Sequence, residues 1–239
     1  MNGTTKTQNG DITVEALDKE KKGTGNIVIT QNGKLDSGRD LTLHTSNGSI
    51  DVTGNTLAKE DLTVTIENVG NVTFERNVDV TGNVVAKTGT GNITIGKTIT
   101  TGKDVSMTVD TGNVKIGANV NAGQNANMQV GTGHIEVGED VTAGGKVKLD
   151  VTKSGSVTIG ETDGTGNIRA VGDVVISTKN DGTLEKNGTT VKTSITSTGG
   201  SVDITAQTGN IKVGEVPTSN AILAKENINL NVTDGAIRT

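Results

Sequence analysis

Few side chains in this chain could do acid–base, nucleophilic or metal chemistry, and they are scattered. The 239 residues hold two histidines, His44 and His134, and no cysteine. Without Cys there is no thiolate nucleophile, thiolate metal site or disulfide. A histidine-centred metal site or triad needs its partners within a few ångströms. His44 ends a strand-like run and His134 occupies a turn position several repeats later. The carboxylates Asp51, Glu136 and Asp203 fall on outward positions of different repeats. A glycan-cleaving pair needs two carboxylates roughly 5–10 Å apart. A sugar platform would add aromatic rings, yet Trp and Tyr are absent and Phe74 is the only Phe. The calcium-binding pattern Gly-Gly-x-Gly-x-Asp does not occur: Gly144-Gly145 runs into Lys146-Val147, and Gly199-Gly200 into Ser201-Val202. These residues predict no catalytic, cofactor-binding or metal site, and a protein that is not an enzyme. Six Asn-x-Thr/Ser sequons occur, at Asn2, Asn47, Asn71, Asn92, Asn187 and Asn231. Asn71 and Asn92 are products of the repeat itself.

That repeat has one unit: Gly, a small polar residue, an aliphatic residue, any residue, an aliphatic residue. It reads Gly25-Asn26-Ile27-Val28-Ile29, Gly48-Ser49-Ile50-Asp51-Val52, Gly70-Asn71-Val72-Thr73-Phe74, Gly91-Asn92-Ile93-Thr94-Ile95 and Gly112-Asn113-Val114-Lys115-Ile116. It continues at Gly133-His134-Ile135, Gly155-Ser156-Val157, Gly209-Asn210-Ile211 and the truncated Gly235-Ala236-Ile237. Gly182-Thr183-Leu184 reads as a degraded copy. Successive glycines are 21–27 residues apart. Each period holds two further alternating runs, such as Ile99-Thr100-Thr101 and Val105-Ser106-Met107-Thr108-Val109. Leu57–Val64 matches Leu223–Leu230 and fixes the same register near both ends, and Gly10–Val14 reads as the third strand of an incomplete turn.

Composition agrees with strands. Val and Ile supply 47 residues, Thr 40, Gly 34 and Asn 24, with a single proline, Pro217. β-Branched side chains suit a pleated surface, and alternation leaves one apolar side per strand. A single coil cannot bury that side; stacking coils about 4.8 Å apart buries it continuously. The expected fold is all-β: a right-handed parallel β-helix, or solenoid, with three short strands per coil and about ten coils of 21–27 residues. Ile27/Ile29, Ile50/Val52, Val72/Phe74, Ile93/Ile95, Val114/Ile116, Ile135/Val137 and Val157/Ile159 should line the bore. A narrow bore suits Val, Ile and Leu better than large rings. Stacked Asn side chains after the glycine should bridge coils by amide hydrogen bonds. We expect a single shaft over residues 1–239: an incomplete first coil in 1–24, regular coils in 25–159, and longer coils in 160–239. The extra residues Glu161–Thr165 and Gly214–Asn220 would form loops, where binding concentrates on rigid scaffolds.

The 21-residue coils, with units such as Thr88-Gly89-Thr90-Gly91-Asn92-Ile93 and Ala206-Gln207-Thr208-Gly209-Asn210-Ile211, resemble the shafts of filamentous-haemagglutinin-type adhesins. These are exoproteins of two-partner secretion and include the high-molecular-weight adhesins. The resemblance implies a shaft that projects binding regions from a bacterial surface toward receptors on host cells or other bacteria. It implies secretion or outer-membrane association, cell adhesion and virulence. The Asn-Pro motifs of that family's secretion domain are absent, so the match is to shaft, with a parent chain expected to continue at both ends. Met1-Asn2-Gly3-Thr4-Thr5-Lys6 does not read as a signal peptide.

Other partners are disfavoured. Net charge is −5 with both signs interspersed, and no basic face for nucleic acid is seen. No apolar run approaches the roughly 20 residues of a membrane span, so no membrane insertion of this segment is expected. Two alternative readings remain: a β-helical carbohydrate-active enzyme fragment, and an ice-binding or scaffold solenoid. The second is weakened because outward positions mix Thr with Lys, Asp and Glu.

Overall fold

A computed structural model describes residues 4–17, 24–30, 33–161, 165–180, 188–215 and 221–239. Among these residues the only regular structure is β-strand, arranged as three parallel sheets of ten strands each. The chain visits the sheets in rotation, so each strand pairs with the one three elements later. Nine complete triplets run from Ile27–Ile29 to Ile228–Asp234, with Thr5–Lys6 and Ile12–Ala16 before them and Ile237–Arg238 after. The protein is a parallel β-solenoid.

One sheet holds the strands that follow the repeat glycine, for example Ile93–Ile95 against Val72–Phe74 and Val114–Ile116. A second holds short strands such as Ile99–Thr101. The third holds the longest strands, such as Val105–Thr111. In the regular part the ladder partners are 21 residues apart, as in Ile93↔Val114↔Ile135. Alternation follows the sequence: Ile93 and Ile95 are buried while Thr94 between them is not. The inward aliphatic residues form one continuous core cluster from Ile12 to Val213.

The short strands show how the chain turns the corner. Their second inward position is Ser37, Ala58, Val80, Thr101, Ala122, Ala143, Ala170 and Ser197, all small or short. The hydroxyls there brace the turn that follows in their own coil or the matching turn one coil below. Ser37 Oγ donates to Asp40 O at 2.7 Å, Thr101 Oγ1 to Lys103 O at 2.9 Å and Ser197 Oγ to Gly172 O at 2.8 Å. A buried hydroxyl is tolerated when it carries such a bond.

One expectation is corrected. The strand of the eighth triplet is Gly188–Val191, not the stretch from Gly182, which lies outside the described residues. Val191 aligns with Ile159 and Val213, and Thr189 with Val157 and Ile211. The offset between partners is therefore 32 residues before this strand and 22 after it, rather than two equal steps of 27. Leu184 is a lone aliphatic residue beside Glu185 and Lys186, whereas Val191 fills the apolar column. Thr189 stands where the other coils have Val or Ile, which hid the strand from the pattern. Of the two insertions, residues 162–164 and 216–220, the latter including Pro217, lie outside the described residues. A strand not expected from the sequence, Thr5–Lys6, precedes Ile12–Ala16 and pairs with Leu35–Ser37.

Candidate functional site

The sequence-selected residues are not brought together. His44 lies on Leu41–Thr45 and His134 in the turn before Ile135–Val137, about four coils further on. At strand spacing that is about 20 Å along the axis. Asp51 and Glu136 share one outward column but are separated by Thr73, Thr94 and Lys115. Asp203 lies on a different sheet. Among the described residues, no group of three or more His, Asp or Glu is arranged to hold a metal ion.

His44, His134, Glu136 and Asp203 each have a partner on a neighbouring coil. His44 Nε2 is 3.1 Å from Glu67 Oε1, and its Nδ1 is 3.9 Å from Glu15 Oε1. Hydrogen bonds from Ser46 and then His44 hold the Glu67 carboxyl below its ordinary value. Lys115 Nζ bridges Glu136 at 3.1 Å and Glu161 at 3.3 Å, linking three coils. The bond to Glu136 outweighs partial burial and holds the Lys115 ammonium above its ordinary value.

The most ordered polar features are two corner ladders. In the expected one, Asn71 Oδ1 accepts from Asn92 N at 2.9 Å, Asn92 Oδ1 from Asn113 N at 2.9 Å, and Asn113 Oδ1 from His134 N at 2.8 Å. His134 continues the column, its Nδ1 taking the Ser156 N–H at 3.2 Å with Ser156 Oγ at 2.8 Å. The side-chain amides of Asn71 and Asn92 are therefore committed to the stack.

A second ladder precedes the long strands and was missed in the sequence. Asp40 Oδ1 accepts from Asp61 N at 2.9 Å, Asp61 Oδ1 from Asn83 N at 2.7 Å, and Asp104 Oδ1 from Asn125 N at 2.9 Å. Its signal was legible as an Asp or Asn before each long strand: Asp40-Leu41, Asp61-Leu62, Asn83-Val84, Asp104-Val105 and Asn125-Ala126. Beside this ladder lies a shallow open depression lined by Asp104, Ser106, Asn125, Asn127, Lys146 and Lys148. Lys146 is already ion-paired to Asp173 at 2.7 Å and Lys148 to Asp150 at 3.5 Å.

Asp140 anchors the chain where it returns from the first insertion. Its Oδ1 accepts from Gly166 N at 3.0 Å, Asn167 N at 2.8 Å and Asn167 Nδ2 at 3.0 Å. Its Oδ2 faces the Arg169 guanidinium at 3.0 Å. Burial pushes the Asp140 carboxyl up, but the donors of Asn167, Arg169 and Gly166 outweigh it and hold it below the ordinary carboxylate value.

No family model matches the chain, and comparison with characterised proteins and with solved structures finds no match. The arrangement itself does one thing chemically: it satisfies polar groups between coils. Side-chain acceptors take up backbone N–H groups at two corners, and ion pairs link outward columns.

Proposed function

We propose that this chain is a structural shaft segment of a large secreted bacterial adhesin of the filamentous-haemagglutinin type. The observation that supports this reading is the stack of nine complete triplets on one continuous apolar core. A solenoid of this kind holds whatever it carries at a fixed distance, because each coil rests on its neighbours. On this reading the protein is displayed at the cell surface, acts without catalysis or cofactor, and places loops or flanking regions before a receptor on host cells or other bacteria.

The test is display and adhesion in the source bacterium. Antibody raised against the folded protein should label intact cells, and external protease should remove the label. Cells in which the gene is deleted should adhere less, and the intact gene should restore adhesion. Antigen found only inside lysed cells, or adhesion unchanged by the deletion, overturns the reading.

A further inference from the structure

We propose that Asn9 is a site of spontaneous, structure-permitted deamidation, giving aspartate or isoaspartate in the corner between Thr5–Lys6 and Ile12–Ala16. The inference rests on a contrast between two Asn-Gly steps in the same fold. In the chemistry, the Gly10 backbone nitrogen loses its proton to solvent base and attacks Asn9 Cγ. The Cγ–Nδ2 bond breaks and ammonia leaves, forming a succinimide. Water then opens the ring at either carbonyl, leaving a carboxylate on a normal or a lengthened backbone. Water is the only co-reactant, and no electron is gained or lost.

The reaction needs an accessible amide and an uncommitted following N–H. Asn9 is exposed and its side chain makes no hydrogen bond. The Gly10 N–H likewise has no partner among the described residues. The other described pair, Asn47-Gly48, is held differently. The Gly48 N–H donates to Val69 O at 2.8 Å, Asn47 is half-buried, and its carbonyl accepts from Gly25 N at 3.0 Å. Attack there first requires opening of the ladder. Suppression grows tenfold for each 1.4 kcal/mol of that opening. Asn2, Asn32 and Asn187, which also precede glycine, lie outside the described residues.

The product would alter a corner held by specific bonds. Thr7 Oγ1 donates to Gly10 O and accepts from Gly38 N at 2.9 Å, tying this turn to the next coil. Asp11 Oδ1 begins the carboxylate ladder by accepting from Asp40 N at 3.2 Å. A lengthened backbone at position 9 shifts Gly10 O, and the new carboxylate stands two residues from Asp11. Ageing would therefore loosen the first corner while the centre of the shaft stays intact.

The experiment incubates the purified full chain at neutral pH and 37 °C in heavy-oxygen water. Peptide mass spectrometry then follows incorporation at Asn9 and Asn47. A parallel sample in denaturing urea gives the rates without structure. In the folded protein Asn9 should react roughly tenfold or more faster than Asn47, the ratio for about 1.4 kcal/mol of opening. In urea the two should react alike. Gly10→Ala should slow Asn9 and leave the fold intact, because an added Cβ meets only Thr7 Cβ, at 4.0 Å. Equal rates at both sites in the folded protein, or an Asn9 rate far below its rate in urea, overturn the proposal.

Discussion

Single residues carry the tightest constraints in this molecule. Gly112 has φ +133°, and a Cβ there would sit 1.9 Å from the carbonyl oxygen of Gly91 one coil below. Neither the backbone conformation nor the space admits another residue. Gly112→Ala should cost several kcal/mol in urea unfolding, whereas Gly10→Ala should stay within about 0.5 kcal/mol. Equal losses would mean that the close approach of coils is not what fixes the glycine. Thr189 shows the opposite situation, a strain that substitution can relieve. Its hydroxyl is buried in the aliphatic column with no hydrogen-bond partner. An unpaired buried hydroxyl costs about 1–3 kcal/mol, so Thr189→Val, which keeps the shape, should raise the unfolding midpoint. A lower midpoint would show that the hydroxyl is satisfied in solution.

Within a strand triplet, side-chain volumes are matched around the bore. Phe74 is 2% exposed in the column where its neighbours are Val52 and Ile95. The same coil carries Ala86 on its long strand, where the adjoining coils carry Val64 and Met107. The large ring and the small methyl share one layer of the core. Phe74→Leu alone should leave a void and cost on the order of 1–2 kcal/mol. Adding Ala86→Val should recover part of it, a coupling that a double-mutant cycle reads directly. Strict additivity of the two changes would show that they do not share space.

For the whole molecule, stability is a sum over coils and coil–coil interfaces. Removal of residues 91–132, two 21-residue periods, joins Thr90 to Gly133 just as Thr132 joins it now. The shortened chain should fold with the same β circular dichroism. Removal of one and a half periods should aggregate or unfold, because the inward columns would no longer align. Charge sets the pH limits of the same stack. Asp140, Asp173 and Asp36 are held below the ordinary carboxylate value. Lys115 and Lys146 are held above the ordinary ammonium value. A depressed carboxyl adds stability that is present above its unfolded pKa of about 4 and lost as pH falls through its folded value. A raised ammonium adds stability that is present below its unfolded pKa of about 10.4 and lost as pH rises through its folded value. Stability should therefore be flat from about pH 5 to 9 and fall on either side. Lys115, Lys146 and Asp173 are about a third or more exposed, so their share is small; the acid limb should rest mainly on the less exposed Asp140 and Asp36. Asp140→Asn should flatten that limb, and an unchanged acid limb in the variant would remove Asp140 from this role.

The sequence by itself determined the solenoid, its register through the regular coils and the inward columns. All of these follow from local alternation repeated at a fixed period, and a one-residue slip would turn every Ile outward. The asparagine ladder was legible for the same reason, since one residue type recurred at one turn position. The Asp and Asn ladder before the long strands recurred as regularly but went unread, because two residue types share the column. Only the tertiary structure decided where the eighth triplet's strand lies: pairing with Ile159 and Val213 selects Val191, although Thr189 breaks the aliphatic pattern. It alone also decided which polar groups meet across coils. Lys115 reaches Glu136 and Glu161, and Asp140 caps Gly166 and Asn167, across separations of 21 to 46 residues. Spacing in the chain sets the order of coils, but the length of each insertion sets which side chains finally stand level, and that is fixed only when the coils stack.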